Sequence, residues 1–288
     1  MVFKDLLQLT KPKLSGLVIF TSAAGMLLAP GEISFAQGAW ATLLITMVVA
    51  SGAVLNSFLE WKLDKKMART KSRPLPAGRM SPELALWFGV LLSVISLPLL
   101  VFTVNTLTAF LGFIAWSTYL FAYTPMKKRT PLAVAVGAIP GALPPLMGWA
   151  ACAGGLDAMA WSLFIILCVW QIPHFLAISI VHRLDYHNAG VMVLPNLEGI
   201  DVTAKCIFAT TLLLYAVSFL PGFVSTTFAG YSVAALLLGA VLAFFSWKTC
   251  AHSSQTSQSF KWSKAYFWST IAYLPLLFIC MIAFKFSN

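Results

Sequence analysis

The sequence NSFLEWKLDKKMARTKSRPLPAG, at residues 56–78, is a charged stretch in an otherwise apolar chain. It contains two of the nine acidic residues and six of the nineteen Lys and Arg residues. Asn56, Glu60 and Asp64 recur in it at four-residue spacing, and the cationic run RTKSRP follows directly. This order predicts a metal site beside an anion site. The alternative interpretation is a long loop whose cations only set the orientation of the chain in a membrane.

The rest of the chain predicts an all-α polytopic membrane protein. The 288 residues are 59% hydrophobic and 10% charged, with a mean hydropathy of +0.85, which excludes an ordinary soluble globular protein. Apolar stretches of roughly 17–22 residues recur, the length that a helix needs to cross a hydrocarbon core of about 30 Å. Because backbone in lipid must satisfy its own hydrogen bonds and these stretches are too long for barrel strands, they are predicted to be helices.

We predict nine transmembrane helices in one domain that covers residues 1–288. Three polar segments, at about 59–83, 123–130 and 181–205, are the predicted active-site loops. The segment GALPPLMGW predicts a break in the fifth span, and the Ser-rich segment 248–264 predicts a polar connection between the last two spans. The nine predicted spans are residues 14–29, 38–58, 84–103, 107–123, 131–151, 159–180, 206–222, 228–247 and 265–284.

The positions of the cations predict the orientation of the chain. With nine spans, eighteen of the nineteen Lys and Arg residues fall on one side of the membrane, and Lys285 alone falls on the other. Cytoplasmic loops accumulate Lys and Arg, so we expect a cytoplasmic N-terminus and a C-terminus on the outer side. The net charge of +10 is thereby explained without nucleic acid as a partner.

The cysteines and the N-terminus narrow the cellular location. The five cysteines contain no CxxC pair and no metal-binding spacing, which predicts membrane-buried thiols without a disulfide framework. The opening sequence MVFKDLLQLTKPKLSG carries an acid and resembles neither a cleaved signal nor a transit peptide. The predicted location is therefore a bacterial cell (inner) membrane.

The acids suggest a divalent cation. If the second helix continues past the membrane core, Asn56, Glu60 and Asp64 lie on one face of it. Mg²⁺ commonly takes one or two carboxylates and completes its shell with water and substrate phosphate. Asp185, in HRLDYHNAG after the sixth span, becomes a further candidate ligand if that helix ends opposite the second. The alternative for Asp185 is a solvated loop carboxylate.

Cations from two polar segments are candidates for binding one anion. Guanidinium groups bind phosphate in bidentate geometry, and Arg73 precedes a proline, which stiffens its backbone. The alternative is that these cations only set topology. The candidates are Arg69, Lys71, Arg73, Lys127, Lys128 and Arg129.

His174 lies in WQIPHF, within an apolar span and three residues after Gln171. Ionisable groups at membrane depth tend to face a cavity or the bundle interior. The interpretations are a neutral imidazole bonded to a neighbouring helix, contact with a polar substrate edge, or ligation of a haem-type iron. The 22 Phe, 10 Trp and 7 Tyr residues either form interfacial belts or line an apolar tunnel, and the sequence leaves both open.

Six motifs in the chain resemble those of one family. They are LTKPKLSGLV, N-x3-E-x3-D-x2-M-x-RT-x2-RPL-x2-G, YTPMKKRTP, GALPPLMGW, WQIPHF and DY-x2-AG-x3-LP. Together they are similar to the haem O synthases, the protoheme IX farnesyltransferase branch of the UbiA-type intramembrane prenyltransferases. The resemblance covers residues 10–205, and beyond them only hydropathy agrees.

This resemblance implies a UbiA-like bundle with a central cavity open to the cytoplasmic side. The implied reaction transfers a farnesyl group from farnesyl diphosphate to the vinyl group of haem B and gives haem O and diphosphate, for haem-copper terminal oxidases. The implied partners are both substrates, membrane lipid, and haem A synthase or a terminal oxidase.

The resemblance also implies roles for individual residues. Asp64, Arg69 and Arg73 are the implied catalytic residues. The implied Mg²⁺ ligands are Asn56, Glu60, Asp64 and Asp185. The implied substrate-binding residues are Asn56, Arg69, Arg73, Lys127, Arg129 and His174.

The chain departs from the family pattern at three positions. Glu60 stands where the family usually has Asp, and Lys62 and Leu184 stand where it often has further acids. These replacements lower the negative charge of the site. Two other functions remain open: prenyl transfer to another aromatic acceptor such as a quinone precursor, and a non-enzymatic haem carrier or assembly factor, which needs no diphosphate site.

Overall fold

The computed structural model describes residues 2–225 and 230–287, and every regular element within those ranges is helical. The all-α prediction is therefore confirmed. A π-helical turn, Thr118–Tyr123, joins α5 to α6. The α-helices are α1 Val2–Leu9, α2 Pro12–Leu28, α3 Phe35–Asp64, α4 Pro82–Thr103, α5 Thr106–Ser117, α6 Thr124–Met126, α7 Ala133–Ala153, α8 Ala158–Val181, α9 Arg183–Ala189, α10 Leu194–Leu197, α11 Gly199–Val217, α12 Leu220–Val224, α13 Tyr231–Ala251 and α14 Thr256–Ser287.

Eight helical units in the described ranges are long and apolar enough to cross a membrane. They are α3, α4, the unit from α5 to α6, α7, α8, the unit of α11 and α12, α13 and α14. Helix α2 is apolar but only 17 residues long, so the nine predicted spans correspond to eight long units and α2. The predicted start of the eighth span, residue 228, lies outside the described residues.

The predicted break in the fifth span is wrong. Helix α7 continues through GALPPLMGW without a break, with its prolines inside the helix. Segment 181–205 contains α9, α10 and the first turns of α11, and α14 already begins at Thr256. Helix α7 can continue because neighbouring membrane helices compensate for the backbone groups that its prolines free.

Helices α2 and α7 pack at backbone contact. A Cβ atom added to Gly148 would lie 1.9 Å from the Ser22 carbonyl oxygen, and one added to Gly25 would lie 2.1 Å from that of Pro145. Glycine permits this approach because it has no side chain, as is common between membrane helices. Helix α7 also packs against α5 and α8, so it holds α2 against the centre of the bundle.

Lys285, which the topology prediction separates from all other cations, contacts the end of a neighbouring helix. The Lys285 ammonium donates to the carbonyl oxygens of Leu27 and Ala29 at 2.8 and 2.7 Å. A cation at the C-terminus of a helix satisfies its free carbonyls and interacts favourably with its dipole. Lys285 thereby joins the end of α14 to the end of α2.

Helix α1 is fixed to the loop that follows α3. The Arg79 guanidinium donates to a carboxylate oxygen of Asp5 at 3.1 Å and to the amide oxygen of Gln8 at 3.1 Å. Asp5 is buried, so this pair is partly shielded from solvent. The chain then turns at Lys11 and enters α2 through Pro12. This arrangement places the start of α2 next to the charged end of α3.

Candidate active site

A cavity of about 480 Å³ lies among α2, α3, α7, α8 and the unit formed by α5 and the π-helical turn. Its volume is typical of small-molecule sites. Charged groups enter it from the end of α3 and the adjoining loops, while aliphatic and aromatic side chains line the remainder. The ionisable and amide residues of its wall are Lys11, Asn56, Glu60, Asp64, Arg69, Arg73, Tyr119, Tyr123, Lys127, Gln171, His174 and Tyr186.

Helix α3 directs three oxygen-bearing side chains into this cavity. Its 30 residues continue without interruption to Asp64, so Asn56, Glu60 and Asp64 lie one above another on the same face. Each of the three is only 4% exposed, and each lines the cavity. The predicted helical face is therefore confirmed, although its role as a metal site stays a prediction.

Both carboxylates of this face are held by cations from the loops. Lys127 forms an ion pair with Glu60, and the Arg73 guanidinium donates to a carboxylate oxygen of Asp64 at 2.9 Å. Burial lowers the pKa of Lys127, and the neighbouring Glu60 carboxylate opposes that shift. The Oε1 atom of Glu60 is buried without a hydrogen-bond partner in the described part of the chain. One buried carboxylate oxygen is thus available for a ligand.

Asn56 has contacts on both sides of its amide. Its Oδ1 accepts hydrogen bonds from the Lys11 ammonium at 3.0 Å and the Tyr119 hydroxyl at 3.3 Å. Its Nδ2 donates to the Thr124 hydroxyl at 3.0 Å. These contacts fix the amide with its oxygen beside the cations. Burial, together with the charge of Arg73, lowers the pKa of Lys11 to about 8.

Lys11 and Tyr119 were missed by the sequence prediction. Lys11 counted only as an orientation cation, although it lies in the quoted motif LTKPKLSGLV directly before a proline. Tyr119 was one of many aromatics whose belt and tunnel interpretations were both open. The sequence does not reveal how close a lysine at the start of an apolar helix lies to α3. The only available signal was therefore the motif itself.

The π-helical turn brings two tyrosines to the cavity wall. The rings of Tyr119 and Tyr123 are stacked, with centroids 5.4 Å apart, and both line the cavity. The Thr124 hydroxyl bonds back to the Tyr119 carbonyl oxygen at 2.8 Å. π-Helical turns are rare and frequently occur at functional sites. This turn therefore contributes a wall of stacked rings next to Asn56.

The three predicted loops meet around the polar end, but not all of their candidate residues reach the cavity. Arg69, Arg73 and Lys127 line it, whereas Arg129 and Asp185 are not part of its wall. An oxygen of Asp185 accepts a hydrogen bond from the backbone N–H of Ala68 at 3.2 Å. Lys71 and Lys128 are likewise absent from the wall. The carboxylate of Asp185 thus contacts the loop that carries Arg69.

Tyr186, which follows Asp185 directly, does reach the cavity. Burial raises the pKa of its phenol, which therefore remains protonated at neutral pH. Adjacent residues of a helix point about 100° apart, and in α9 Tyr186 lines the cavity while Asp185 contacts the Ala68 N–H.

His174 lies deep in the wall, away from the loops. Its Nδ1 atom is 2.7 Å from the Thr270 hydroxyl, and its ring is stacked between Trp170 and Phe267 at centroid distances of 4.7 and 4.8 Å. These contacts match the interpretation of an imidazole bonded to a neighbouring helix. His174 also lines the cavity, so they do not exclude contact with a substrate.

Gln171 lies one turn before His174 and fills a narrow gap. Its Nε2 donates to the Ala138 carbonyl oxygen at 3.0 Å. A Cβ atom added to Gly141 would lie 2.0 Å from the Gln171 amide oxygen. Gly141 therefore leaves the space on α7 that allows Gln171 to join the wall.

The donor set at the end of α3 fits Mg²⁺. Two carboxylates and one amide oxygen are hard ligands of the type that this ion prefers, and Glu60 Oε1 is buried without a partner in the described residues. Within the same residues, no group of three or more His, Cys, Asp or Glu side chains could form a site by itself. The arrangement fits an ion that shares one or two carboxylates with substrate oxygens.

Comparison with known proteins identifies the family. The model of the UbiA prenyltransferase family matches residues 17–271. The chain belongs to the UbiA prenyltransferase family. The match continues well beyond residue 205, where the sequence motifs end, and so corrects the narrower range of the resemblance. As a UbiA family member with eight long apolar helical units in its described residues, the protein is a polytopic membrane prenyltransferase.

Two relatives that match nearly the whole chain carry the same name. The chain is 45% identical over 278 residues to a protoheme IX farnesyltransferase of Anaeromyxobacter sp. (strain Fw109-5), covering 96% of this chain and 92% of the relative. It is 41% identical to a protoheme IX farnesyltransferase of Myxococcus xanthus, covering 97% and 94% of the two chains. The resemblance to this branch is therefore confirmed.

Solved structures share the UbiA fold. A digeranylgeranylglyceryl phosphate synthase matches with a TM-score of 0.79 at 17% identity, covering 99% of both chains. A UbiA homologue from Archaeoglobus fulgidus, solved with GPP and Mg²⁺, matches with a TM-score of 0.69 at 14% identity, covering 94% of this chain and 99% of that one. The predicted UbiA-like bundle is confirmed.

Proposed function

We propose that this protein transfers the farnesyl group of farnesyl diphosphate to a vinyl group of haem B. Water adds in the same overall reaction, so that haem B, farnesyl diphosphate and water give haem O, with its hydroxyethylfarnesyl side chain, and diphosphate. The observation that supports this most is a single cavity wall that joins paired carboxylates and cations to an apolar chamber containing His174. The names of the relatives supply the acceptor.

The polar end is suited to an allylic diphosphate. Glu60 and Asp64, with the amide oxygen of Asn56, would hold Mg²⁺, which when bound neutralises charge on the diphosphate and favours its departure. A UbiA homologue solved with GPP and Mg²⁺ supports this pairing of ligands. The Asp185 carboxylate stays a predicted fourth ligand, although its contact here is with Ala68.

The cations of the loops stabilise the leaving group. Arg69, Arg73 and Lys127 line the cavity, and they donate charge-assisted hydrogen bonds to diphosphate oxygens as the allylic C–O bond breaks. Arg73 and Lys127 are held by carboxylates in the protein as described, so binding exchanges ion-pair partners. Arg129 stays a predicted contact from the same loop as Lys127.

The apolar part of the cavity protects the farnesyl cation. The pair of electrons of the broken C–O bond leaves with the diphosphate, and the vinyl group of haem B then attacks the allylic carbon. Side chains such as Trp116 and Phe175 line the chamber, and their exclusion of water prevents early hydrolysis of the cation. Water enters the product only after the new C–C bond has formed.

His174 is the proposed contact for haem B. Its imidazole is oriented by Thr270 and by the rings of Trp170 and Phe267. A fixed imidazole on an apolar wall is suited either to the polar edge of a porphyrin or to its iron. This assignment places the acceptor on the α8 side of the chamber and the diphosphate at the end of α3.

The proposed location is the bacterial inner membrane, with the N-terminus and the charged loops in the cytoplasm. The separation of cations by side supports it. Haem O formed there would pass to haem A synthase or to a terminal oxidase. Reporter fusions at residues 68 and 155 test the orientation: the first must report the cytoplasm and the second the outer side, and the reverse result contradicts it.

The reaction is tested with the full-length protein in lipid nanodiscs. Haem B, farnesyl diphosphate and Mg²⁺ are expected to yield haem O, identified by mass spectrometry, with release of diphosphate. Farnesyl transfer to a quinone precursor but not to haem B would instead indicate another acceptor. Haem binding without any diphosphate release would indicate a carrier.

A further inference from the structure

Lys11 has an unusual backbone conformation. Its φ and ψ angles are 53° and 70°, and no other non-glycine residue in the described ranges has a positive φ. The left-handed region carries a steric cost for a residue with a side chain. Such residues persist where the surrounding structure holds them, and they cluster at binding sites.

Both sides of this turn are fixed. Before it, α1 is bound to Arg79 through Asp5 and Gln8. After it, Pro12 opens α2, and α2 lies at backbone contact with α7 at Gly148. Because the turn is held from both directions, the Lys11 side chain extends toward α3.

The ammonium of Lys11 has neutral partners in the described structure. It donates to Asn56 Oδ1 at 3.0 Å and to the Tyr119 hydroxyl at 3.5 Å. The two carboxylates of the cavity wall, Glu60 and Asp64, are already paired with Lys127 and Arg73. The positive charge of Lys11 is thus held in the wall by dipoles rather than by a carboxylate.

The wall as a whole has an excess of positive charge. Among the described residues that line the cavity, four cations face two carboxylates. Such an excess favours a polyvalent anion, and hydrogen bonds from an ammonium to phosphate oxygens are stronger than those to an amide oxygen. Lys11 is therefore positioned to exchange its hydrogen bond with the Asn56 amide oxygen for one with a phosphate oxygen.

We propose that Lys11 binds the diphosphate of the prenyl donor and exchanges its bond with Asn56 Oδ1 for one with a diphosphate oxygen. The exchange frees Asn56 Oδ1 from Lys11, so that this oxygen could join the neighbouring carboxylates, which would hold the metal ion. This role rests on the proposed function, and it assigns substrate contact to a residue outside the three polar loops.

The test measures binding of farnesyl thiolodiphosphate, a slowly reacting analogue of the donor, to the full-length protein in nanodiscs with Mg²⁺. The variants are Lys11→Met, Lys11→Gly and Lys11→Arg, with Lys13→Met as the matched control, because Lys13 is exposed on the same helix. Lys11→Gly removes the charge but relieves the left-handed backbone. Competition by inorganic pyrophosphate and by farnesol separates the charged from the apolar part of the site.

Lys11→Met and Lys11→Gly are each expected to weaken analogue binding by about 10- to 100-fold, the loss of one hydrogen bond to a charged group. In both variants the affinity for competing pyrophosphate is expected to fall by the same factor, while the affinity for competing farnesol does not change. The affinity of Lys11→Arg for the analogue is expected to stay within about 3-fold of wild type, and that of Lys13→Met to equal it.

Two results would overturn the role of Lys11. Wild-type affinity of Lys11→Met is one, and the other is retained binding in Lys11→Gly with loss in Lys11→Met, which would indicate backbone strain alone. Failure of the wild-type protein to bind the analogue would instead contradict the proposed function, so the two failures are distinguishable.

Discussion

The end of α3 and helix α9 both carry acids beside the polar end of the cavity, but they contribute different groups to it. Helix α3 directs Asn56, Glu60 and Asp64 inward, each only 4% exposed. Helix α9 contributes the phenol of Tyr186, while its Asp185 contacts the backbone of Ala68. The negative charge of the wall therefore comes from one side, and an aromatic hydroxyl comes from the other.

This difference follows from helix length. Helix α3 continues for 30 residues, so residues four apart stay aligned along one face for several turns. Helix α9 has 7 residues, and of its neighbouring residues Asp185 and Tyr186 only the tyrosine lines the cavity. The long helix thus presents a row of polar side chains to the cavity, whereas the short helix presents one.

The largest expected loss of activity follows from breaking the pair formed by Asp64 of α3 and Arg73. Asp64→Asn and Arg73→Ala are each expected to lower kcat/KM for farnesyl diphosphate by about 100-fold or more, because each removes charge stabilisation of the leaving group. Haem O formation is measured in nanodiscs. The control is Glu83→Gln, which changes an exposed acid at the start of α4. If Asp64→Asn were as active as the control, the proposed role of the α3 carboxylate in the reaction would be contradicted.

Removal of the metal ion proposed to bind the α3 carboxylates is expected to lower the rate of haem O formation. Excess chelator should reduce haem O formation by about 100-fold or more, and added Mg²⁺ should restore it, because two carboxylates lie at the diphosphate end. The measurement is the initial rate at increasing chelator concentration. Undiminished activity in excess chelator would contradict the metal role.

Helix α9 is distinguished from α3 by a pair of substitutions at Asp185. Asp185→Asn keeps an oxygen that can accept from Ala68 but loses the negative charge of the predicted fourth ligand, so activity within about 3-fold of wild type would assign Asp185 to the loop contact alone. Asp185→Ala loses that acceptor and should raise KM for farnesyl diphosphate by about 10-fold through the loop that carries Arg69. If Asp185→Asn instead loses as much activity as Asp64→Asn, then Asp185 ligates the metal and the two sides are equivalent.

The smallest of these effects concerns the acceptor. His174→Ala is expected to raise KM for haem B by about 10-fold and to leave KM for farnesyl diphosphate unchanged, because the imidazole lies away from the charged loops. His187→Ala, at an exposed position of α9, is the control. An equal rise of both KM values would indicate that His174 only supports the packing of the wall.

Much of the fold could be predicted because lipid imposes simple rules. Apolar stretches of membrane-spanning length predicted the helices, and the short gap between the predicted spans 84–103 and 107–123 is matched, since α4 ends at Thr103 and α5 begins at Thr106. The prediction failed at the fifth span, where α7 continues through the prolines of GALPPLMGW. Neighbouring membrane helices compensate for the backbone groups that these prolines free, and the sequence of one span does not express that compensation.

The site was predictable where its residues share one helix. The shared face of Asn56, Glu60 and Asp64 follows from their spacing, because α3 continues to its last charged turn. Lys11 and Tyr119 could not be found this way, because their contacts with Asn56 span 45 and 63 residues of the chain. Asp185 was placed among the ligands by motif, but its direction depends on how α9 follows α8.

By itself, the sequence determined that this chain is a helical membrane protein and that Asn56, Glu60 and Asp64 share one face of α3, and its motifs indicated the UbiA type. The first two follow from periodicity and local chemistry, which need no knowledge of distant neighbours, whereas the third follows from a resemblance to known sequences. The tertiary structure alone decided that Lys127 and Arg73 pair with the carboxylates, that Asp185 contacts the loop backbone, and that Lys11 reaches Asn56. Those contacts depend on close helix packing, which the order of residues along one segment does not express.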